Sequence, residues 1–73
     1  MLIEFTTNVQ ARMQDRGIAE SQVRAALDAP DQLCPSFENR WRARKRIEGR
    51  AIEVLFLRDP LQQQVITAYW VES

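Results

Sequence analysis

The chain has 73 residues, of which 45% are hydrophobic and 27% charged, and its ten basic residues balance its ten acidic ones. These values predict one small globular domain over residues 1–73 and exclude a disordered chain. Because the sequence shows neither a signal peptide nor a long apolar run, we expect the protein in the cytoplasm, outside membranes. The sequence contains no histidine, and Cys34 is its single cysteine. It therefore excludes Ser-His and Cys-His catalysis, and we expect neither a metal nor a cofactor.

The N-terminus predicts a short strand followed by a helix. Residues 2–5 alternate between apolar and polar side chains, as a half-buried strand does. Thr6 or Thr7 is a suitable N-cap for a helix that runs to Arg16. Gly17 follows the helix and can adopt the left-handed conformation that ends it.

The next segment predicts a second helix and a weak strand. Residues 20–29 show helical spacing of apolar side chains, and Pro30 cannot continue the helical hydrogen bonds. Residues 33–37 read as a strand that Pro35 confines to the edge of a sheet. The pair 38–39 then makes a tight turn into the last third of the chain.

The last third of the chain predicts an antiparallel meander. Its strands are 40–47, 51–57 and 64–71, each rich in β-branched or aromatic residues. Turns at 48–49 and 59–62 separate them. The order is therefore β-α-α-β-β-β-β, an α+β fold with two helices on one face of a mainly antiparallel sheet.

The two turns of the meander predict which side chains share a face of the sheet. They pair Ile47 with Arg50, and Arg58 with Gln63. A regular register then places on the helix-covered face Trp41, Ala43, Lys45, Ile52, Val54, Phe56, Val65, Thr67, Tyr69 and Val71. It places on the opposite face Arg40, Arg42, Arg44, Arg46, Ala51, Glu53, Leu55, Leu57, Gln64, Ile66, Ala68 and Trp70. A slip of one residue would exchange the faces within a strand.

Basic residues are concentrated in this sheet. Residues 1–39 carry three bases and six acids, whereas residues 40–73 carry seven bases and four acids. Such asymmetry indicates a polyanionic partner, although the isoelectric point near 6.2 is low for a dedicated nucleic-acid binder.

Four segments together resemble a bacterial family, domain of unknown function 4258. They are Phe5-Thr-Thr-Asn-Val-Gln-Ala-Arg-Met-Gln-Asp-Arg-Gly-Ile18, the helix with Val23 and Leu27 that ends in Pro30-Asp31, the basic Ala43-Arg44-Lys45, and the closing Val65-Ile-Thr-Ala-Tyr-Trp70. The resemblance implies a fold similar to the RelE/ParE and BrnT type small toxins, whose relatives include ribonucleases that cut RNA through its own 2′-hydroxyl. The family usually has a histidine where this chain has Asn8, and Asn cannot exchange a proton near neutral pH.

One candidate catalytic site consists of Asn8, Arg12, Lys45 and Tyr69. The predicted faces would bring these side chains together where the first helix meets the sheet, and metal-free RNA cleavage needs such proton-transfer groups and cations. Alternatively, Lys45 and Tyr69 extend from the edge of the core to solvent, while Arg12 and Arg16 pair with nearby acids or helix carbonyls.

A second candidate site binds RNA through Arg40, Arg42, Arg44 and Arg46, with Trp70 as a stacking surface. In a second interpretation this face is simply solvated and Glu53 neutralises Arg44. In a third, Leu55, Leu57, Ile66 and Trp70 bind an antitoxin-like protein or a second copy of the chain. The sequence thus favours an RNA-binding, toxin-like domain that is a candidate metal-independent endoribonuclease, with a non-catalytic protein-interaction module as the alternative.

Overall fold

The computed structural model describes residues 2–71, and in it two helices pack on one face of a five-stranded sheet. The elements are β1 Leu2–Phe5, α1 Thr7–Asp15, α2 Glu20–Asp28, β2 Gln32–Pro35, β3 Arg40–Ile47, β4 Arg50–Arg58 and β5 Gln62–Val71. The strand order is β1-β5-β4-β3-β2, with β1 parallel to β5 and the other pairs antiparallel. The predicted α+β class and element order are confirmed.

The ends of α1 have the local chemistry that the sequence predicts. The Thr6 hydroxyl accepts a hydrogen bond from the Val9 backbone N–H at 3.2 Å, so Thr6 is the N-cap. Gly17 has a φ of 67°, and the Ile18 N–H donates to the Met13 carbonyl at 2.8 Å. This reversal turns Ile18 back into the core, where it is buried.

The edge strand β2 is shorter than predicted. It ends at Pro35, whereas the sequence predicted strand as far as Phe37. Phe37 instead belongs to the turn before β3, because the Arg40 N–H donates to its carbonyl and the two residues between them have positive φ. The edge position is confirmed, since β2 pairs only with β3 among the described strands.

The hydrophobic core lies between the two helices and the sheet. We call the face of the sheet that the helices cover the helix face, and the other the open face. The buried apolar residues are Val9, Met13, Ile18, Val23, Ala26, Ala43, Ile52, Val54, Phe56, Val65 and Ala68. Neither helix of the part described here is long and apolar enough to cross a membrane.

A bulge in β5 changes the predicted faces. The pairs Ile47 with Arg50 and Arg58 with Gln63 are confirmed. Phe56 also pairs with Val65 as expected, but Leu55 pairs with Thr67 and not with Ile66. Ile66 is therefore an extra residue, and every side chain that follows it has the opposite orientation from a regular strand.

The prediction was wrong for the end of β5. Thr67, Tyr69 and Val71 lie on the open face, opposite Leu55, Glu53 and Ala51, and not on the helix face. Ala68 and Trp70 lie on the helix face, opposite Val54 and Ile52. The exchange buries the small Ala68, which is 1% exposed, and keeps the hydroxyl groups of Thr67 and Tyr69 out of the core.

Deleting Ile66 tests the bulge. The chain should keep the pairs Glu53 with Tyr69 and Val54 with Ala68, because without the extra residue the ladder becomes regular in the same register. The measurement is the set of cross-strand proton contacts in NMR spectra. The matched control is deletion of Ala68, which inverts the faces after it and should abolish the contact of Glu53 with Tyr69. If both deletions abolish that contact equally, the bulge is not at Ile66.

Candidate functional site

The open face carries four arginines along β3. Arg40, Arg42, Arg44 and Arg46 alternate with helix-face residues, as the regular register of β3 and β4 predicts. Their cross-strand neighbours on β4 are Leu57, Leu55, Glu53 and Ala51. A line of cations thus runs beside a mainly apolar strand.

The central row of this face is a hydrogen-bonded triad, Arg44–Glu53–Tyr69. Glu53 is only 5% exposed. One carboxylate oxygen accepts from Arg44 Nη2 at 2.9 Å, and the other accepts a hydrogen bond from the Tyr69 hydroxyl. The pairs Arg44 with Glu53 and Glu53 with Tyr69 are cross-strand neighbours, so the sheet itself aligns the three side chains.

The triad shifts the pKa of both acidic groups away from neutral pH. Burial alone would raise the pKa of Glu53, but the hydrogen bonds from Tyr69 and Arg44 and the charges of Arg44 and Arg42 outweigh it, and the pKa is below its ordinary value. The hydrogen bond to Glu53, with burial and the Glu53 charge, raises the pKa of Tyr69. At pH 7 Glu53 is therefore ionised and Tyr69 protonated.

This lowered pKa should make the protein lose stability in acid. Unfolded Glu53 binds protons more readily than folded Glu53, so its contribution is complete above the ordinary pKa of 4.5 and disappears as the pH falls through the folded value. We expect Glu53→Gln to flatten the fall in unfolding free energy below about pH 4.5. Tyr69→Phe, which removes one hydrogen bond and leaves the carboxylate, should flatten it partly. Urea denaturation from pH 2 to about 7 measures both; an unchanged acid slope in Glu53→Gln would contradict the assignment.

The four arginines differ in how much charge is left for a partner. Arg44 is paired with Glu53, and Arg40 Nη1 lies 3.5 Å from Glu38 Oε2. Arg42 and Arg46 are exposed, and neither forms an ion pair with another residue between 2 and 71. The interpretation that Glu53 neutralises Arg44 is therefore correct, but it applies to one arginine of the face.

A shallow depression of about 90 Å³ lies at the edge of the open face. Gln32, Cys34, Arg42, Arg44 and Glu53 line it. Cys34 is exposed and directly opposite Arg42 on the neighbouring strand. Among the described residues no group of histidine, cysteine and carboxylate side chains is arranged to hold a metal ion.

The four candidate catalytic residues do not lie together. Asn8 and Arg12 are exposed on α1. Lys45 is on the helix face, where its Nζ donates to the Ala29 carbonyl at 2.9 Å and so caps the C-terminus of α2. Tyr69 is on the open face, with the thickness of the sheet between it and Lys45. The predicted convergence of these side chains was wrong for Tyr69, because the bulge places it on the open face.

Trp70 also lies on the side opposite to its predicted position. Its indole Nε1 donates to the Arg16 carbonyl at 2.9 Å, and the Arg50 guanidinium is 3.9 Å from the ring centre. The Arg16 side chain donates in turn to the Ala68 carbonyl at 2.9 Å and to the Thr67 hydroxyl. Trp70 therefore joins α1 to the sheet and is not beside the four arginines.

Sequence reasoning missed that Tyr69, and not Trp70, belongs with the arginines. The signal was a break in the alternation of polar and apolar residues along β5. The polar Gln64 has an even number, whereas the next polar side chains, Thr67 and Tyr69, have odd numbers. A regular strand would have put those hydroxyls into the core, and such a conflict indicates a bulge.

Comparisons with known proteins identify a family for this chain and add no function. No curated protein and no solved structure matches the chain. The sequence model of a family described as "Domain of unknown function (DUF4258)" matches residues 5–70, from the end of β1 to the tryptophan of β5. The chain belongs to that family.

Proposed function

We propose that this domain binds single-stranded RNA on the open face of its sheet, with Arg42 and Arg46 as the main phosphate contacts and Arg40 and Arg44 beside them. The observation that carries the proposal is the line of arginines at every second residue of β3. Same-face neighbours along a strand are about 6.7 Å apart, which is comparable to the spacing of phosphates in an extended single strand. Guanidinium groups at this interval can contact successive phosphates.

Tyr69 supplies an aromatic surface next to this line. It is 36% exposed, and its hydroxyl is held by Glu53, which fixes the ring on the sheet. Exposed aromatic rings beside cations are where unpaired bases stack, a contact worth about 1–3 kcal/mol per base. In this proposal Tyr69 takes the stacking role that the sequence suggested for Trp70.

The resemblance to RelE/ParE and BrnT type toxins supports RNA as the nucleic acid, because relatives of that fold cut RNA. The site nevertheless favours binding over metal-free cleavage near neutral pH. Efficient acid and base catalysts have a pKa close to the working pH, whereas the pKa of Tyr69 is raised and that of Glu53 is lowered. Both oxygens of Glu53 are already hydrogen-bonded, so it is poorly placed to accept a proton from a 2′-hydroxyl.

A cleavage assay tests this part of the proposal. We expect the purified chain with chelator to leave a single-stranded RNA at the background rate from about pH 5 to 9. Asn8→His should not raise the rate, although it restores the histidine of the family, because position 8 is on α1 and Tyr69 is on the far face of the sheet. A gain on the order of a hundredfold in Asn8→His that Lys45→Ala abolishes would instead establish a catalytic site at the helix side.

Binding itself is tested with a labelled single-stranded RNA. Titration of the ¹⁵N-labelled chain should shift the amide signals of β3 and of Tyr69 on β5, and leave those of α1 and α2 unchanged. The apparent affinity should fall steeply with salt, since each phosphate contact releases counterions. Signal changes confined to the helices, or an affinity insensitive to salt, would refute the proposal.

A protein partner is the second candidate. Leu55, Leu57 and Val71 are only half buried on the same face as the arginines. An acidic, antitoxin-like segment could cover them and neutralise Arg42 and Arg46 at once. The chain at high concentration is the first check: a dimer that buries the open face would favour self-association, whereas a monomer that binds an acidic amphipathic peptide but not RNA would favour the partner.

A further inference from the structure

A groove of about 550 Å³ lies on the helix side of the sheet, beside α2, and the proposed RNA site does not use it. Its volume is within the range of small-molecule sites. One wall is the end row of three neighbouring strands, in which Ile3 pairs with Gln63 and Gln63 pairs with Arg58. The other wall is α2, with Arg24 and Asp28 one turn apart.

The positions of two arginines make this groove cationic. The Arg24 guanidinium lies 5.4 Å from the centre of the Phe5 ring, and that of Arg58 lies 5.0 Å from the centre of the Trp41 ring. Stacking on these rings limits the orientations of both side chains before anything binds. Neither arginine forms an ion pair with another residue of the described part of the chain.

Gln63 forms a polar part of the groove wall. It is 5% exposed, and its side-chain amide makes no hydrogen bond to another residue between 2 and 71. Gln63 is not among the buried side-chain groups that lack a hydrogen-bond partner, so its amide is not enclosed in the core without one. Because Gln63 lines the groove, a bound molecule can reach this amide from there.

We propose that this groove binds a small organic phosphate, with the phosphate between Arg24 and Arg58 and the apolar part of the molecule on Ile3, Ala25 and Leu27. A phosphate has enough oxygens to accept from two guanidinium forks and an amide at once, whereas a carboxylate has two. Asp28 lines the same groove and leaves one net positive charge among the three ionic groups. The groove therefore prefers a monophosphate to a diphosphate.

Phenyl phosphate is a suitable probe, with inorganic phosphate and benzoate as comparisons. Titration into the ¹⁵N-labelled chain should saturate and shift the side-chain amide of Gln63 and the backbone amides around Arg24. Inorganic phosphate, which lacks the apolar part, and benzoate, which has only two acceptor oxygens, should each bind at least about fivefold more weakly. Equal affinity for all three would mean unspecific anion attraction and would overturn the proposal.

Charge variants identify the binding residues. Arg24→Gln and Arg58→Gln should each weaken phenyl phosphate binding about tenfold, and Arg24→Lys, which keeps the charge but loses the fork, should be intermediate. The matched control is Arg12→Gln on α1, which makes the same charge change outside the groove and should bind within about twofold of the original chain. Shifts that appear on β3 instead, or the absence of saturation up to about 10 mM, would refute the site. RNA binding at the open face is a separate outcome, since the two sites are on opposite faces.

Discussion

Phe56→Ala is expected to unfold a large fraction of the protein at 25 °C. Phe56 is 1% exposed and is the largest of the fully buried side chains. It pairs with Trp41 on one side and Val65 on the other, so its ring lies at the centre of the sheet against the helices. Removing such a ring costs about 3–5 kcal/mol. A chain of 73 residues has only about 4–11 kcal/mol of stability in total.

Phe37→Ala is the matched control because it makes the same chemical change at a residue that is 71% exposed, in the turn before β3. Its free energy of unfolding should stay within about 0.5 kcal/mol of the original. Urea denaturation followed by circular dichroism measures both variants. If Phe56→Ala costs less than about 1 kcal/mol, or no more than Phe37→Ala, the core is not centred on this residue.

Much of the fold could be predicted because its turns carry local signals. Glu48 and Gly49 both have positive φ, as a two-residue hairpin turn requires, and the turn holds β3 and β4 in the predicted register. The Asp59 side chain accepts from the Leu61 N–H, which ties the turn that sets the start of β5. Such signals act over two to four residues and are visible in the sequence.

The end of β5 could not be predicted by counting from its turn. Counting residues from a turn assigns faces correctly only when the pairing of the two strands is unbroken. The bulge at Ile66 breaks it, so every later residue of β5 has the opposite face from the one predicted. The bulge is favoured by distant partners: Trp70 reaches the Arg16 carbonyl, and Tyr69 reaches Glu53. These contacts depend on where α1 and β4 lie in space, which no window of the sequence contains.

The same difference explains which part of the candidate site could be predicted. The arginines lie on β3, whose pairing with β4 is regular, so their shared face followed from alternation alone. Tyr69 and Trp70 follow the bulge and exchanged faces. One extra residue thereby separated Lys45 from Tyr69 and put a tyrosine, hydrogen-bonded to a buried carboxylate, beside the cations. The site that we propose is therefore a binding site on the open face, whereas the sequence predicted a catalytic site on the helix face.

The arginines also differ in their suitability for mutation. Arg44 forms an ion pair with Glu53, which is 5% exposed, so its removal would leave a buried carboxylate short of a partner and change stability together with binding. Arg42 and Arg46 are exposed and have no such pair within the described residues. Replacing these two therefore tests the charge of the face with little effect on folding.

We expect Arg42→Gln combined with Arg46→Gln to weaken single-stranded RNA binding about tenfold at roughly 0.2 M salt. The reason is that each phosphate contact on a single strand contributes about 0.7 to the slope of log affinity against log salt, and the double variant loses two contacts. The slope itself should fall by about 1.4, which a general loss of folded protein would not produce. Urea denaturation should show unchanged stability within about 0.5 kcal/mol.

The matched control for the double variant is Arg12→Gln combined with Arg50→Gln, which removes the same charge from the helix side of the sheet, outside the groove. If general attraction to the whole protein dominated, both double variants would lose affinity equally, because the net charge changes by the same amount. If instead the open face holds the phosphates, the helix-side variant keeps its slope and only the β3 variant loses it. Fluorescence anisotropy at four salt concentrations distinguishes the two, and equal slopes in both variants would leave the arginines of β3 without a role in RNA binding.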